Sequence, residues 1–355
     1  MSETEMTKTR KPPSNRKRYL IASGLVLFSV LYLALMRMLS AFGLFQSMSE
    51  VGAELFSALA MQLLGFAIIP ILVIGLTERL RPRALARELG FRKVSWLTVL
   101  ISVLIGVSGF GVTIFISYMN TLWLLGVGFM MPRSLPGDPV TTLGIFLLSV
   151  FTTAITPGFC EEVADRAITG RMLAHDSKPR GDFMKILLIA LFFGLFHGNV
   201  MQTVYTFFAG FTMGLLFVKT KSIFPSMIVH FVNNFMSVYL DYASSAGLPF
   251  GDTFAFIQNS FLTGEIIFVL LALLVAAAVE TLCLIFIWRR YSAKNLKTRL
   301  KTDKTEYNPY TGRAEFVRLP VKDEDKIRPQ DRIFFICALI LGTLVTFGTL
   351  LSGML

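Results

Sequence analysis

Long runs of apolar residues, separated by short polar segments, follow one another along almost the whole chain. A helix that crosses a bilayer needs roughly 17–25 such residues, and nine runs approach or reach that length. The pattern predicts an all-α protein, a polytopic transmembrane helical bundle of about 8–9 spans. The nine runs are 19–43, 55–77, 94–118, 142–160, 184–201, 203–218, 222–240, 264–288 and 333–354.

The composition supports a membrane protein. Hydrophobic residues make up 54% of the 355 residues and charged residues only 16%, and the mean hydropathy is +0.63. These values exclude an ordinary soluble globular protein. The three cysteines lie in or beside predicted spans without disulfide or metal-ligand spacing, so we interpret them as packing residues.

The positive charges predict an orientation. If the N-terminus lies in the cytoplasm, 32 of the 34 Lys and Arg residues fall in segments on that side, as the positive-inside rule requires. We therefore expect an integral membrane protein with a cytoplasmic N-terminus and an outer C-terminus. The short polar loops and the absence of organelle signals favour a bacterial cell membrane. The net charge of +11 then faces anionic lipid headgroups, and nothing in the sequence suggests nucleic acid as a partner.

The chain divides into four predicted parts. Residues 1–18 form a basic cytoplasmic tail ahead of a first helix that is too long for a cleaved signal peptide. Residues 19–288 form the membrane domain, 289–331 a basic cytoplasmic linker, and 332–355 a C-terminal transmembrane helix.

A few polar side chains interrupt the apolar runs. Ionisable residues inside spans are costly and usually functional, so these residues are candidates for a site. They are Glu161, Glu162, Asp165 and Arg166 at the fourth span, His197 in the fifth, His230 and Asn234 in the seventh, and Glu280 in the eighth.

Helical spacing sorts the candidates into pairs. Glu162 and Arg166 are four residues apart and share a helix face, so they can form an ion pair. Glu161 is turned about 100° away from Glu162. The pair is either a structural salt bridge at the membrane interface, or a support that holds Glu162 while Glu161 faces a wet cavity. Phe193 and His197 are also four residues apart.

These residue types suit the hydrolysis of an acyl group by water. Glu161 can take a proton from water, and His197 can orient that water. His230 and Asn234 can donate hydrogen bonds to the oxyanion that develops on the substrate. Asn233 competes with Asn234 for this role on spacing alone.

Three motifs in this order resemble a known family. E-E-x-x-x-R begins at Glu161, F-x-x-x-H at Phe193 and H-x-x-x-N at His230. Together they resemble the CPBP family, which comprises type II CAAX prenyl endopeptidases and bacteriocin-processing enzymes, and the resemblance covers about 140–245. It implies an intramembrane endopeptidase whose cavity opens toward the cytosol, and a membrane-associated protein or peptide as substrate. Prenylated proteins are the eukaryotic substrates of the family; for this chain we expect peptide leaders or tails of membrane proteins.

The resemblance also implies residue roles. Glu161 and His197 would activate water, while His230 and Asn234 would form the oxyanion hole. Glu162 and Arg166 would support the site or engage the substrate. The family includes members described as metalloproteases and others described as glutamate-type enzymes. We favour a mechanism without a cofactor; in the alternative, Glu161, His197 and His230 bind Zn²⁺ as a His₂Glu set with an open position for water.

Two readings without proteolysis stay open. The chain could be a non-catalytic immunity or scaffold protein that keeps the motifs for structural reasons. It could also be a proton-coupled transporter, because buried carboxylates and histidines also form proton relays, and Glu280 fits that reading best.

The predicted depths of the site residues conflict. A fourth span that ends at residue 160 puts Glu161 at the cytosolic surface, while His197 lies about 18 Å along the fifth span from Lys185. The two residues meet only if the helices extend into the cytosol, tilt, or break near Pro157-Gly158. We expect the hairpin 161–185 to protrude from the membrane.

Overall fold

The computed structural model describes residues 13–43, 47–130, 142–176, 181–263, 265–302, 305–308, 313–316 and 323–354. Eleven α-helices occur among these residues, which confirms the predicted all-α class. In chain order they are α1 (Asn15–Ala41), α2 (Glu50–Phe56, Ser57–Ile68 and Ile69–Glu78 in continuous sequence), α3 (Pro82–Glu88), α4 (Trp96–Gly126), α5 (Leu143–His175), α6 (Asp182–Phe196), α7 (Val200–Thr220), α8 (Phe224–Ala246), α9 (Thr253–Thr263), α10 (Ile266–Thr302) and α11 (Ile333–Met354).

The helices account for the nine predicted spans. Within the described ranges, seven helical segments have the length and apolar composition to cross a membrane, judged by those two properties alone: Asn15–Ser40, Val51–Glu78, Trp96–Gly126, Leu143–His175, Val200–Thr220, Ile266–Asn295 and Asp323–Met354. The two remaining predicted spans correspond to α6, which has only 15 residues, and α8, which carries many polar side chains. The chain is an integral membrane protein.

One end of the bundle carries most of the charged contacts. Here the guanidinium of Arg171 at the end of α5 donates to Glu78 of α2 at 2.7 and 2.6 Å, and to Glu88 of α3 at 2.7 Å. At the same end, Lys219 of α7 donates to Asp182 of α6 at 2.8 Å. We call it the basic end, because the segments 79–95 and 219–223, which are rich in Lys and Arg, lie there.

At the opposite end, which we call the far end, side chains donate hydrogen bonds to main-chain carbonyl groups of neighbouring helices and turns. Arg37 near the end of α1 donates to the carbonyl oxygens of His197 and Gly198 in the turn between α6 and α7. The side chain of Asn120 in α4 donates to the carbonyl oxygen of Val200 at 3.1 Å.

The fourth predicted span continues far beyond residue 160, which corrects the sequence-based prediction. α5 runs without a break to His175 and includes two π-helical sections, Val150–Ile155 and Val163–Thr169. All residues of the second section are buried, because they pack against α1 and α2. This part of the expected protruding hairpin therefore lies inside the bundle.

The continuation of α5 removes the conflict in depth. Glu161 lies 14 residues from the basic end of α5, and His197 lies 15 residues from the start of α6. At 1.5 Å per residue, both residues are about 21–22 Å from the basic end. They can therefore meet without a break at Pro157-Gly158.

A layer of buried apolar side chains fills the bundle near the basic end. We call it the apolar layer, and it includes Ile101, Ile186, Leu216 and Val229, each four or five residues from the basic end of its helix. These side chains are at most 8% exposed. The layer packs α4, α6, α7 and α8 together and separates the basic end from the middle of the bundle.

The segment after the membrane domain has its own small element. α10 continues to Thr302, 14 residues beyond the predicted end of the eighth span at 288. Two strands follow, β1 (Thr305–Asn308) and β2 (Arg313–Phe316). They pair antiparallel with Thr305 opposite Phe316.

Candidate active site

A polar cavity of about 410 Å³ lies between α4, α5, α6, α7 and α8. Its walls combine the candidate residues of all three motifs, which come from different helices. They include Glu161, Phe193, His197, His230, Asn233 and Asn234.

The carboxylate of Glu161 lies at the centre of the constellation. Its Oε1 accepts a hydrogen bond from Nε2 of Gln62 at 2.8 Å. Its Oε2 is buried and has no hydrogen-bond partner among the residues that the structure describes. That oxygen is 3.8 Å from Nε2 of His197 and 3.9 Å from Nε2 of His230. The free oxygen and the two ring nitrogens therefore face one small space.

The orientation of His197 is set by the end of α6. Its Nδ1 is 2.8 Å from the carbonyl oxygen of Phe193, one turn earlier. A carbonyl can only accept, so Nδ1 carries the proton in this bond and Nε2 is left for the cavity. Gly198 follows with a φ of 50°, in the left-handed region that glycine adopts without steric cost. This turn ends α6 and directs the chain into α7.

His230 is held by a buried carboxylate. Its Nδ1 is 2.9 Å from Oε1 of Glu162, and the same oxygen accepts from Arg166 at 2.7 Å. The side chains of Glu162 and Arg166 are fully buried. The predicted i, i+4 pair thus exists inside the bundle and not at the membrane interface, and it fixes the ring of His230 so that Nε2 faces Glu161.

The ring of Phe193 packs between the guanidinium group of Arg166 and the two imidazole rings of the site. The guanidinium carbon of Arg166 lies 4.1 Å from the centre of the Phe193 ring, a cation–π arrangement. The ring also makes edge contacts with His197 and His230, with centroids 4.9 and 5.7 Å apart. Asp165 is 3.3 Å from Arg166, and it does not line the cavity.

Asn234 binds a main-chain carbonyl group in the first π-helical section of α5. Its Nδ2 donates to the carbonyl oxygen of Thr153 at 2.8 Å. That carbonyl has no α-helical partner, because the residue four positions later is Pro157, which lacks an N–H group. Asn233 donates to Oγ1 of Thr113 at 3.4 Å. Both asparagines line the cavity.

The sequence motifs include neither Gln62 nor Tyr205, which also belong to the site. Gln62 binds Glu161 from α2, and Tyr205 lines the cavity from α7. Each is an uncharged polar residue inside an apolar run, a weak signal in a sequence. Glu280 is separate from the cavity; its Oε1 accepts from Thr212 at 2.7 Å.

The donor geometry does not match a ready-made zinc site. Zn–N and Zn–O bonds of about 2.0–2.2 Å place tetrahedral ligand atoms roughly 3.3–3.5 Å apart. The distances from Oε2 of Glu161 to the two histidine nitrogens are longer, 3.8 and 3.9 Å. In the described part of the chain, no group of three or more His, Cys, Asp or Glu side chains is placed to hold a metal ion.

Comparison with known proteins identifies the segment that carries the motifs. Residues 143–236 match the family model described as type II CAAX prenyl endopeptidase Rce1-like. The match begins at α5 and ends within α8, so it includes all three motifs. No curated protein and no solved structure matches the chain. Through this segment of helices, the chain is similar to the type II CAAX prenyl endopeptidases of the Rce1-like family.

Proposed function

We propose that this protein is an intramembrane endopeptidase that hydrolyses peptide bonds of membrane-associated proteins or peptides. One observation carries the proposal: Oε2 of Glu161 has no hydrogen-bond partner in the described part of the chain and lies within 4 Å of two histidine Nε2 atoms at the wall of a polar cavity. The family match supports the same reaction class.

In the first step, a water molecule binds between Glu161 and His197. Nε2 of His197 accepts one hydrogen bond from the water, because its Nδ1 proton is committed to Phe193. Glu161 takes the other proton as a general base. The water oxygen then bonds to the carbonyl carbon of the substrate, and the carbonyl π electrons move to the oxygen.

Hydrogen-bond donors then stabilise the oxyanion. Asn234 keeps one amide hydrogen for the substrate while the other binds Thr153. His230 contributes from Nε2 when both its nitrogens are protonated, since Nδ1 is held by Glu162. Donors of this kind, fixed before the reaction, are usually the largest contribution to such catalysis.

The last step returns the proton. Glu161 gives it to the leaving nitrogen as the carbon–nitrogen bond breaks, so the products are a carboxylic acid and an amine and the carboxylate is regenerated. Glu162 and Arg166 keep the ring of His230 in place, and the buried ion pair supplies the counter-charge that a low-dielectric site needs.

The test is proteomics of membrane fractions from cells with the intact protein and with Glu161→Gln. Glutamine keeps the shape and the hydrogen bonding of the side chain but cannot act as a base. We expect precursor proteins to accumulate in the variant, and purified Glu161→Gln and His197→Ala to lose cleavage while remaining inserted and folded.

A matched control uses a half-buried carboxylate elsewhere in the membrane domain. Glu280→Gln removes a negative charge outside the cavity and should leave cleavage intact. If Glu280→Gln abolished transport of protons in sealed vesicles while Glu161→Gln changed no protein in the membrane proteome, a transporter would replace the protease.

A further inference from the structure

A second cavity, of about 540 Å³, lies at the basic end between α3, α5, α6, α7 and α10. We call it the basic cavity. Gly170 in its wall is nine residues beyond Glu161 along α5, about 13 Å, so it is distinct from the candidate active site. Its volume lies in the usual range of small-molecule sites, roughly 300–1,000 Å³. The cationic side chains in its wall are Arg87, Arg92, Arg171, Lys185, Lys219 and Lys221.

The two carboxylates in the same wall are already paired. Glu88 accepts from Arg171 at 2.7 Å, and Asp182 accepts from Lys219 at 2.8 Å. With His175 counted as neutral, six cationic and two anionic side chains leave an excess of four positive charges. The cations that form no ion pair among the described residues are Arg87, Arg92, Lys185 and Lys221.

The ends of the helices do not balance this excess. α3, α5 and α7 end at the basic cavity, and each helix C-terminus carries about half a negative charge. Three such ends offset fewer than two of the four excess charges. The remaining positive charges repel one another, and an anion bound between them would remove that repulsion.

A buried donor points to the same kind of ligand. The side chain of Arg171 is only 2% exposed, and its two Nη atoms bind Glu78 and Glu88. Its Nε is buried and has no hydrogen-bond partner in the described part of the chain. Buried donors in folded proteins nearly always have an acceptor. Because Arg171 lines the basic cavity, an acceptor bound there can supply the missing partner.

Main-chain contacts hold the wall in place before any ligand binds. The segment after α3 and the turn after α7 are joined twice. Oγ of Ser222 donates to the carbonyl oxygen of Arg92 at 2.6 Å, and the N–H group of Ile223 donates to the carbonyl oxygen of Gly90 at 2.9 Å. Lys221 lies in the same turn. A wall fixed in this way loses little conformational freedom when a ligand binds.

The basic cavity lies at the level of the lipid headgroups. The apolar run of α10 ends at Trp288, and tryptophan is enriched at the interface between membrane and water. Nζ of Lys219 lies 3.3 Å from the centre of the Trp288 ring. Ser292 and Asn295, which follow Trp288 in α10, line the basic cavity.

We propose that the basic cavity is a binding site for a phosphate group. Arg87, Lys185 and Lys221 supply positive charge, and Arg171 supplies a donor that is already fixed. Guanidinium and ammonium groups together are the usual partners of phosphate oxygens. The positive-inside rule places this end in the cytoplasm, where anionic lipid headgroups and soluble phosphate compounds both occur. The site does not depend on the proposed proteolysis.

The experiment measures binding through the thermal unfolding temperature of the full-length protein in detergent. A ligand that binds only the folded state raises this temperature in proportion to its occupancy, which gives an apparent Kd. The lipid probe is a short-chain phosphatidylglycerol, compared with a phosphatidylcholine of the same chains, which has no net charge. The soluble probe is inorganic phosphate, compared with chloride at the same ionic strength.

Two double variants separate the basic cavity from general surface charge. Lys185→Gln with Lys221→Gln removes two charges from the wall. Arg83→Gln with Lys93→Gln is the matched control, because it removes the same charge from exposed positions at the same end, outside the cavity. Arg87→Gln, at an exposed position in the wall, repeats the test with one charge.

We expect phosphatidylglycerol, inorganic phosphate or both to stabilise the protein until the site is saturated, and phosphatidylcholine and chloride to have no such effect. The apparent Kd should rise roughly 10-fold in the cavity double variant and stay unchanged in the control. Three results would overturn the proposal: no saturable stabilisation by either probe, an unchanged Kd in the cavity double variant, or equal weakening in both double variants.

The two probes also identify the source of the phosphate. Stabilisation by phosphatidylglycerol alone assigns the site to a lipid headgroup. Stabilisation by inorganic phosphate, with the same loss in the cavity double variant, assigns it to a soluble phosphate compound. Either result supports a phosphate site.

Discussion

The adjacent carboxylates Glu161 and Glu162 have different surroundings, which suits them to different tasks. Glu162 is fully buried and accepts from Arg166 and His230 through one oxygen. Glu161 lines the cavity, where its Oε2 lies 3.8 Å from Nε2 of His197 and 3.9 Å from Nε2 of His230. Neighbouring titratable groups in different environments are a common way to divide roles in an active site.

The side chain of Asn234 should stabilise mainly the transition state of the cleavage reaction. We expect Asn234→Ala to lower kcat by about 10²–10³, the usual effect of removing one oxyanion donor, and to leave KM nearly unchanged. Cleavage kinetics with a purified substrate would measure both constants. Asn233→Ala is the matched comparison, since both amides line the cavity. A larger loss with Asn233→Ala would assign the oxyanion to that residue.

Gln62 should act as a positioning residue for Glu161. Hydrogen bonds to charged groups contribute about 1.5–3 kcal/mol, so Gln62→Ala should lower kcat roughly 10- to 150-fold. KM should change little, because Gln62 contacts the carboxylate and not the cavity. Ser57→Ala, an exposed position in the same π-helical section, provides the control. Equal losses in both variants would mean that α2 is merely sensitive to substitution.

Close packing of α6 on α7 places His197. A Cβ atom on Gly194 would lie 2.9 Å from the carbonyl oxygen of Thr203 and 3.1 Å from Cβ of Phe207. Small residues allow membrane helices to approach in this way. The end of α6, and with it His197, therefore depends on the absence of a side chain at Gly194.

The corresponding prediction compares two glycine substitutions. Gly194→Ala should lower the thermal unfolding temperature in detergent, since overpacking costs about 1–3 kcal/mol. It should also reduce cleavage by about 10²-fold, the expected cost of a shift of roughly 1 Å in a catalytic group. Gly24→Ala in α1, where a Cβ meets no atom within 4 Å, should change neither. Full activity of Gly194→Ala would contradict the packing argument.

The elements show where sequence patterns succeed and where they fail. Apolar runs predict the helices well, and the i, i+4 spacing predicts the contact between Glu162 and Arg166. The end of α5 was predicted wrongly because a cluster of charges resembles an exit from the membrane. In the bundle these charges pair with one another and pack on Phe193, so the helix stays inside. Phe193 belongs to another helix, and this contact therefore cannot be predicted from the apolar run of α5 alone.

The same limit applies to the site. The motifs locate Glu161, His197 and His230, because charged and imidazole groups stand out in apolar sequence. Gln62 could not be predicted: its partner is 99 positions away, and an amide has no distinctive pattern.

For the whole molecule, the metal content decides between the two mechanisms. We predict well under one Zn²⁺ per chain in the purified protein, and activity that survives dialysis against a strong chelator at neutral pH. Elemental analysis and a cleavage assay before and after dialysis provide the measurement. The reason is that Glu161 is already held by Gln62 and sits farther from both histidines than a shared ion requires.

Stoichiometric zinc would change the chemistry. If activity disappeared with the metal and returned when zinc was added, Glu161, His197 and His230 would be ligands and the metal would activate the water. Addition of magnesium after dialysis serves as the control for non-specific effects of divalent ions.

The short helix α6 makes the thickness of the bilayer important to this protein. Its 15 residues extend about 22 Å, whereas the hydrocarbon core of a typical membrane measures about 30 Å. Irregular backbone at such depth is tolerated only beside protein or water, and Arg37 covers the carbonyl groups of the turn. In a thicker membrane the turn at Gly198 and the cavity beside it would lie deeper in the lipid. A change in lipid chain length should therefore alter the rate of the proposed proteolysis, although it changes no side chain of the site.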